Sequence, residues 1–401
     1  MNTLVTALVP TRNPKPKTRK PSALNPKPET QSPLMQKIIL VAGARPNFVK
    51  IAPLWRAFSI INGVEVVLVH TGQHYDDAMS RVFFDDLGLP EPSYNLNAGG
   101  GNQARQTADI MTRFDEVLDD LLPDDVIVVG DVNSTLACSL VSVKRGIRTS
   151  HVEAGLRSFD RSMPEEINRL TTDAIADLLF VSEESGMKNL RNEGVSEDKI
   201  HFVGNVMIDS LVFAADAIEN SNVANHFQLD TQNYALVTIH RPSNVDDPGR
   251  LRHLMNWLQE LSQKVPVVFP THPRTRKSMA VAGINPDYIE RDFPDLKIVP
   301  PQGYIDFQNL LKNARLVVTD SGGLQEETTW LGIPCVTLRK NTERPVTIEQ
   351  GTNFLAGMEL GKAAEIVDVC LVGTIKNGRI PELWDGHAAE RIAEVIVNTV
   401  K

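Results

Sequence analysis

Short apolar runs with strand character alternate with helical patterns along this 401-residue chain, and this alternation constrains the fold more than any other feature. The pattern is typical of α/β domains in which helices cover both faces of a parallel sheet. The predicted strands fall into two sets, which indicates two doubly wound, Rossmann-like domains facing a cleft. The first set is 37–42, 64–69, 125–129, 148–152, 178–181 and 201–203. The second set is 234–238, 265–269, 296–299, 316–319 and 335–338.

The chain is predicted to divide into a tail and two domains. Residues 1–36 hold seven prolines and six basic side chains but only one acid, so we expect them to remain disordered. The N-terminal domain is expected at 37–207 and the C-terminal domain at 208–385. An amphipathic helix at 388–397, in the last segment 386–401, is expected to pack back onto the first domain.

Composition narrows the class of protein. The net charge of -9 disfavours a nucleic-acid partner, and no apolar run is long enough for a membrane span of about 18 residues. The three cysteines, Cys138, Cys335 and Cys370, show no metal-ligand spacing and suit a reducing, cytoplasmic compartment. We find neither a dinucleotide-binding G-x-G-x-x-G nor an H-E-x-x-H motif, so no cofactor and no metal are expected.

One stretch of the first half concentrates ionisable groups, since residues 151–169 hold eight of them in nineteen positions. Pro164 is expected to open a helix with Glu165 and Glu166 on its first turn, where the helix dipole favours negative charge. Two interpretations stay open, carboxylates placed for proton transfer on a substrate or an ion-paired surface helix. An apolar helix face is predicted to enter a core and consists of Ile167, Leu170, Ala174 and Leu178.

Single charged residues follow several predicted strands, where α/β proteins bind their ligands. Asp131 follows 125–129 and is placed either as a catalytic acid or as the cap of the next helix. Arg45, after 37–42, suits a phosphate or a carboxylate, or a structural ion pair. His240, Arg241 and His272 follow two strands of the second set and suit phosphate binding or proton transfer, although a single histidine is more often structural.

The strongest local signal is Ser321-Gly322-Gly323, which follows 316–319 and opens a helix. Ser321 can cap this helix, and the glycines allow backbone N–H groups to approach an anion such as a diphosphate. Glu327, one turn further, is placed to accept hydrogen bonds from ribose hydroxyls. The competing interpretation is an ordinary capped helix with a Gly-Gly turn. A charged loop expected near the same cleft contains Arg339, Thr342, Glu343 and Arg344.

Taken together, the motifs resemble the bacterial UDP-N-acetylglucosamine 2-epimerases of the non-hydrolysing kind, from about residue 36 to the C-terminus. The resemblance implies a two-domain, glycosyltransferase-B-like fold, a nucleotide-sugar substrate and a homodimer. It also implies interconversion of UDP-GlcNAc and UDP-ManNAc, by elimination of UDP to a bound glycal and re-addition. The matching motifs are Gly43-Ala-Arg45-Pro46, Thr71-Gly-Gln73-His74, Gly130-Asp131, His151-Val-Glu153-Ala-Gly-Leu-Arg157, Pro164-Glu165-Glu166-Ile-Asn168-Arg169, Gly204-Asn205, His240-Arg241, Ser321-Gly-Gly-Leu-Gln325-Glu326-Glu327 and Thr342-Glu343-Arg344-Pro345.

The resemblance also implies roles for individual residues. The catalytic groups it implies are Asp131, Glu153, Glu165 and His240. The substrate-binding positions are Arg45, Arg157, Asn205, Arg241, His272, Ser321, Gly322, Gly323, Glu327 and Arg344. Gln73 and Arg105 match a second, allosteric site. Which carboxylate removes the C2 proton and which returns it stays open.

Some positions depart from the family pattern and leave the sugar open. Asn47, Ser243 and Arg274 stand where the family commonly has Glu, Glu and Asn, and the loop 157–164 is shorter. Arg274 suits a sugar carboxylate, so an epimerase of a UDP-diacetamido-uronic acid is a second possibility. Three more functions stay open: a hydrolysing 2-epimerase that releases ManNAc and UDP, a glycosyltransferase of the same architecture, and a non-catalytic sugar-nucleotide sensor.

Overall fold

The structure, a computed structural model, describes residues 35–72, 77–285, 289–373 and 376–399. The segment predicted to be disordered lies outside the described residues, except for Met35 and Gln36. Within the described ranges, no helix combines the length and apolar character that crossing a membrane requires.

The first half forms a seven-stranded parallel sheet in the order β3-β2-β1-β4-β5-β6-β7. This is a doubly wound order, in which the chain direction across the sheet reverses between β1 and β4, and ligands bind at the carboxyl ends beside that point. Its strands are β1 (Gln36–Ala42), β2 (Val64–His70), β3 (Tyr94–Asn95), β4 (Asp125–Val129), β5 (Arg148–Val152), β6 (Leu178–Val181) and β7 (Ile200–Phe202).

The second half repeats this plan with a six-stranded parallel sheet in the order β10-β9-β8-β11-β12-β13. The switch point lies between β8 and β11, which pair in parallel from Leu316 opposite Ala235 to Thr319 opposite Thr238. Its strands are β8 (Ala235–Thr238), β9 (Val267–Pro270), β10 (Leu296–Val299), β11 (Leu316–Thr319), β12 (Cys335–Thr337) and β13 (Asn353–Leu355).

Helices connect the strands and cover both sheets. Those of the first half are α1 (Arg45–Ser59), α2 (Asp77–Leu87), α3 (Gln103–Leu121), α4 (Asn133–Lys144), α5 (Pro164–Ile175) and α6 (Glu184–Asn192). A 3-10 turn at Glu197–Lys199 precedes β7, and α7 (Val206–Phe213), α8 (Ala215–Glu219) and α9 (Val223–His226) lead into the second sheet. The remaining helices are α10 (Pro242–Val245), α11 (Pro248–Ser262), α12 (Pro273–Val281), α13 (Ile289–Asp292), α14 (Tyr304–Lys312), α15 (Gly322–Leu331), α16 (Pro345–Glu349), α17 (Leu360–Leu371) and α18 (Ala388–Asn398).

The last helix, α18, belongs to the core of the first half. Ala388, Ile392 and Ile396 are buried in the same apolar cluster as residues of α1 and β1. Asp209 of α7 accepts hydrogen bonds from the backbone N–H groups of Ala388 and Ala389, which are among the unpaired donors at the start of α18. The chain thus returns to the first sheet after completing the second.

The prediction for the buried face of α5 was wrong for three of its four residues, whereas Leu178 is buried but begins β6. Ile167 and Leu170 are only half-buried and Ala174 is exposed, whereas the buried residues of α5 are Glu166, Asn168, Arg169, Thr172 and Asp173. The interpretation of α5 as a surface helix is therefore wrong as well. Charged side chains can be buried here because each has a partner of opposite charge, as the contacts below show.

Candidate active site

Glu153, directly after β5, is held between two cations. One carboxylate oxygen pairs with Lys50 of α1 and the other with Arg344 of the second half. The side chain is 8% exposed, and the backbone has a φ of 75°, a left-handed conformation that side chains other than glycine rarely adopt. Strained backbone of this kind concentrates at functional sites, where the surrounding structure maintains it.

Asp131, directly after β4, points toward the same region. Its carboxylate lies 2.7 Å from Nη2 of Arg169, and its side chain is 26% exposed. Burial acts to raise the pKa of this carboxyl, but the cations of Arg169 and Lys50 outweigh burial and hold the pKa below its ordinary value. The competing role as a helix cap is wrong, because the N-cap position of α4 is occupied by Val132 and not by Asp131.

The two glutamates at the start of α5 have different environments. Glu166 is buried and accepts hydrogen bonds from the backbone of Ser158 and Phe159 at 2.9 and 3.0 Å, so it fixes the short loop before α5. Glu165 is half-buried and faces Arg241 of the second half. Burial and Arg339 lower the pKa of Arg241, whereas the carboxylates Glu343, Asp320 and Glu165 oppose this change.

His240 follows β8 and is oriented by Asp320, a fully buried carboxylate after β11. Asp320 accepts hydrogen bonds from the backbone N–H groups of His240 and Arg241, and lies 3.2 Å from Nδ1 of His240. Burial and the nearby cations Arg241 and Arg274 lower the pKa of His240, so its imidazole is neutral near pH 7. If the ring proton of neutral His240 is on Nδ1, the nitrogen beside Asp320, Nε2 keeps its lone pair and can accept a proton.

Arg344, just before α16, joins the carboxylates of both halves. Besides Glu153, it lies 2.8 Å from Glu326 and 2.5 Å from Glu343. Burial acts to lower the pKa of Arg344, but these carboxylates raise it far above its usual value. Glu343 in turn pairs with Arg339 at 2.7 Å. The site is therefore a buried network of alternating charges that spans the two domains.

The predicted anion site at Ser321-Gly322-Gly323 lies beside this network. A β-carbon at Gly322 would lie 2.8 Å from both Nη1 of Arg344 and Oε1 of Glu343, so the absence of a side chain lets the arginine approach the start of α15. A β-carbon at Gly323 would lie 3.0 Å from Met207. Ser321 occupies the N-cap position of α15, as predicted, but its side chain makes no hydrogen bond to the helix start.

Several predicted substrate ligands make contacts within the protein. Arg157 forms a two-point contact with Glu193 at 2.8 and 2.7 Å and also pairs with Asp173, which gives it a structural role. The side-chain amide of Asn205 donates to Glu326 at 2.9 Å. Glu327 is buried and accepts from Gln308 at 2.6 Å; burial raises its pKa to about 8.

The remaining predicted positions are less defined by the structure. The side chain of Arg45 and all of Gln73 lie outside the described residues. Arg105 is exposed on α3, and its backbone N–H donates to Asn102 at 2.9 Å. His272 begins α12, and its ring lies 5.6 Å from that of His240. Among the described residues, no group of three His, Cys, Asp or Glu side chains is arranged to hold a metal ion.

Sequence reasoning gave no specific role to Lys50, Asp320, Glu326, Arg339 or Glu343. Glu326, Arg339 and Glu343 lie in segments described from the sequence, and Lys50 and Asp320 lie next to such segments. Their spacing shows neither which strand end they face nor which charged group they contact. Lys50 lies one turn inside α1, and Glu153 lies more than a hundred residues away in sequence. The alternation of charges across the two domains can be predicted only when the strand order of both sheets is known.

The close approach at Gly322 makes a testable prediction. Gly322→Ala should displace Arg344 or Glu343 and lower the free energy of unfolding by about 1–3 kcal/mol, because an inserted methyl group forces its neighbours to shift. Enzymatic activity should fall with it. Gly361→Ala on α17 is the matched control, since no atom lies within 4 Å of its β-carbon position. Urea unfolding should show the control equal to or slightly more stable than the wild type.

Two doubly wound domains with a charged site at the carboxyl ends of both sheets define a two-domain α/β protein of glycosyltransferase-B-like architecture, as predicted. The chain belongs to the UDP-N-acetylglucosamine 2-epimerase family, whose sequence profile matches residues 56–397. This confirms the resemblance found in the motifs.

Individual relatives support the same assignment. The UDP-N-acetylglucosamine 2-epimerase of Methanocaldococcus jannaschii is 40% identical over 365 residues, which cover 90% of this chain and 98% of the relative. A crystal structure of the Methanocaldococcus jannaschii enzyme in complex with UDP-GlcNAc and UDP has a TM-score of 0.85 and covers 91% of this chain and 100% of that one. The UDP-2,3-diacetamido-2,3-dideoxy-D-glucuronate 2-epimerase of Pseudomonas aeruginosa is 38% identical, with 90% and 99% of the two chains covered.

Proposed function

We propose that this protein interconverts UDP-GlcNAc and UDP-ManNAc by inversion at C2, without net hydrolysis. The observation that carries the proposal is the buried pairing of Glu153 with Arg344. It brings a carboxylate of the first domain to the cation that lies at the start of α15 in the second domain. A sugar linked to a diphosphate requires this arrangement, with proton-transfer groups on one side and cations on the other.

The reaction needs two half-steps. In the first, a base removes the C2 proton, the C–H electrons form a C1–C2 double bond, and the anomeric C–O bond breaks with its electrons leaving on UDP. In the second, an acid protonates C2 from the opposite face, and a β-phosphate oxygen bonds again to C1. Acid and base groups must therefore face both sides of the sugar ring.

The described side chains supply these groups. Asp131 is kept ionised by Arg169 and its side chain is 26% exposed, so it is a candidate for removing the C2 proton. Glu153 and Glu165 are the candidates for returning it. Neutral His240, whose Nε2 could accept a hydrogen bond or a proton, is suited to contact a sugar hydroxyl.

The cations of the second domain support diphosphate binding. Arg241 follows His240 directly in the chain, and the charges of Arg241 and Arg339 both act to lower the pKa of His240. Nη1 of Arg339 is buried and has no hydrogen-bond partner in the part of the chain that the structure describes. A buried donor without a partner is costly, so a bound anionic oxygen would stabilise it. Together with Arg344, these groups can neutralise charge that develops on the leaving UDP.

A related substrate is the second candidate. The Pseudomonas aeruginosa relative is named for a diacetamido-uronate, and Arg274 lies near enough to His240 to lower its pKa. The Arg274 guanidinium pairs with Asp246 at 2.6 Å and is 46% exposed, so a sugar carboxylate would have to compete with that carboxylate. We therefore favour UDP-GlcNAc.

Exchange in D2O tests the proposal. Incubation with UDP-GlcNAc should give UDP-ManNAc that carries deuterium at C2, and the recovered UDP-GlcNAc should become labelled at the same carbon. NMR and mass spectrometry measure both products. Asp131→Asn should bind UDP yet abolish the exchange, because the amide cannot accept the proton.

Different products would identify a different function. Free ManNAc and UDP would indicate a hydrolysing enzyme, and sugar transfer to an added acceptor would indicate a glycosyltransferase. Exchange with the diacetamido-uronate alone would indicate the second substrate. Binding of UDP-GlcNAc without any exchange, with Asp131→Asn behaving as the wild type, would contradict an epimerase and favour a sensor.

We also propose that the protein acts in the cytoplasm as a homodimer with domains at 37–207 and 208–385. The free thiols of Cys138, Cys335 and Cys370 are all buried, which supports a reducing compartment. The dimer rests on the family resemblance.

A further inference from the structure

Glu326, in the second turn of α15, is a fully buried carboxylate to which the reaction above gives no role. One of its oxygens accepts a hydrogen bond from Asn205 at 2.9 Å, and the other lies 2.8 Å from Nε of Arg344. It contacts the same guanidinium as Glu153, but from the side of α15. Glu326 therefore helps to hold Arg344 in place beside the anion site.

Arg344 is shared by more carboxylates than it can neutralise. Glu343 has a second cation in Arg339, and Glu153 has one in Lys50, whereas the described contacts of Glu326 include no cation besides Arg344. Glu326 interacts electrostatically with Arg344, Glu153, Lys50, Glu183 and Glu327. Burial raises the pKa of Glu326 to about 7, with Arg344 opposing and Glu153 adding to the rise.

Arg344 also faces the predicted diphosphate site. Its Nη1 lies 2.8 Å from the position that a β-carbon on Gly322 would occupy, at the N-terminal turn of α15. A diphosphate bound at this turn would share the positive charge of Arg344 and bring its own negative charge toward Glu326. An ionised Glu326 would then be a buried carboxylate that shares its only described cation with a second anion, which is strongly unfavourable.

We propose that Glu326 positions Arg344 in the ligand-free protein and takes up a proton from solvent when UDP or a UDP-sugar binds. The step is a simple protonation in which a solvent proton bonds to a Glu326 carboxylate oxygen. The added proton neutralises Glu326, because Arg344 then balances the charge of the diphosphate instead of that of Glu326. This inference rests on the proposed function, because it requires a diphosphate at the start of α15.

The direction in which proton uptake changes with pH depends on whether Glu326 is already protonated in the ligand-free protein. Below about pH 6, Glu326 is already protonated because its pKa is about 7, so binding takes up no further proton there. Near pH 8 the free protein holds it ionised, and binding raises its pKa toward or above the solution pH. Proton uptake linked to Glu326 should therefore increase from pH 6 to pH 8.

Calorimetric titration of the full chain with UDP tests this inference. Measurements at one pH in buffers of different ionisation enthalpy give the number of protons taken up per UDP. We expect uptake near pH 8, where UDP is itself fully ionised, and its loss in Glu326→Gln. Glu183→Gln is the control for a second buried carboxyl, whose pKa burial raises to about 8. Arg344 and Glu326 act on Glu183 electrostatically, but its described contacts include no ion pair with Arg344, so this variant should retain the uptake.

Two results would overturn the inference. One is UDP binding without proton uptake near pH 8, and the other is unchanged uptake in Glu326→Gln. Should that variant fail to fold, infrared difference spectra of the wild type decide, since UDP should produce a protonated carboxyl band near pH 8 and its absence contradicts the proposal. No binding of UDP at any pH would instead overturn the proposed function, and this inference with it.

Discussion

Replacing Glu153 by glutamine should lower kcat for epimerisation about 10²–10⁴-fold, the range that a positioned acid or base contributes. Glutamine keeps the size of the side chain but can neither give nor accept the proton at C2. It also leaves Lys50 and Arg344 without the carboxylate that they share. The KM for UDP-GlcNAc should change less than kcat, because the diphosphate contacts remain. Steady-state kinetics with a coupled or NMR assay measures both.

Glu193→Gln is the matched control for this loss. Glu193 forms a comparable two-point pair with Arg157 in the first domain, and its side chain is 36% exposed, away from the Glu153–Arg344 contact. Its loss should leave kcat nearly unchanged. Equal kcat values for Glu153→Gln and the wild type would remove Glu153 from the chemistry and leave it a structural ion-pair residue.

The fold could be predicted from the sequence to a large extent because buried parallel strands are short, apolar runs. β4, β5, β6, β10 and β11 have the predicted bounds, and the other predicted strands differ by one or two residues at one or both ends. β3 and β13 were missed. They have two and three residues, too few for an apolar pattern to appear.

The site residues could be predicted only where an ionisable residue directly follows a predicted strand. Asp131 and Glu153 follow predicted strands, so their common edge could be foreseen. The burial of the charged face of α5 could not, because periodicity assigns the core to apolar residues and the polar side chains here are buried by pairing. Arg169, for example, pairs with Glu166 and Asp131, both at 2.7 Å. Such pairs depend on strand order and not on local sequence.

Arg344→Met should destabilise the protein by about 3–5 kcal/mol, as expected when one partner of a buried ion pair is removed. Methionine fills much of the space but leaves carboxylates on three sides. Glu343 keeps Arg339 and Glu153 keeps Lys50, whereas Glu326 keeps only the amide of Asn205. The loss of stability therefore arises mainly from the unpaired charge of Glu326. The affinity for UDP should decrease as well. Urea unfolding and UDP titration measure the two effects.

The loss of stability caused by Arg344→Met should increase as the pH rises. A carboxyl whose pKa is higher in the folded than in the unfolded chain binds more protons when folded, so its cost to stability grows as pH rises from the unfolded to the folded pKa. For Glu326 that window runs from 4.5 to about 7 in the wild type, and the loss of Arg344 extends it upward. Arg344→Met should consequently be much closer to the wild type in stability near pH 6 than near pH 8.

The surface residue Arg145 provides a control for the loss of a buried arginine. Arg145 lies 2.6 Å from both Asp115 and Asp119, but these partners are 52% and 69% exposed. Arg145→Met should cost at most about 1 kcal/mol, because solvent screens exposed pairs, and it should leave UDP affinity intact. If Arg344→Met lost the same stability at pH 6 as at pH 8, protonation of Glu326 would not relieve the buried charge. The destabilisation would then come from lost packing around the guanidinium.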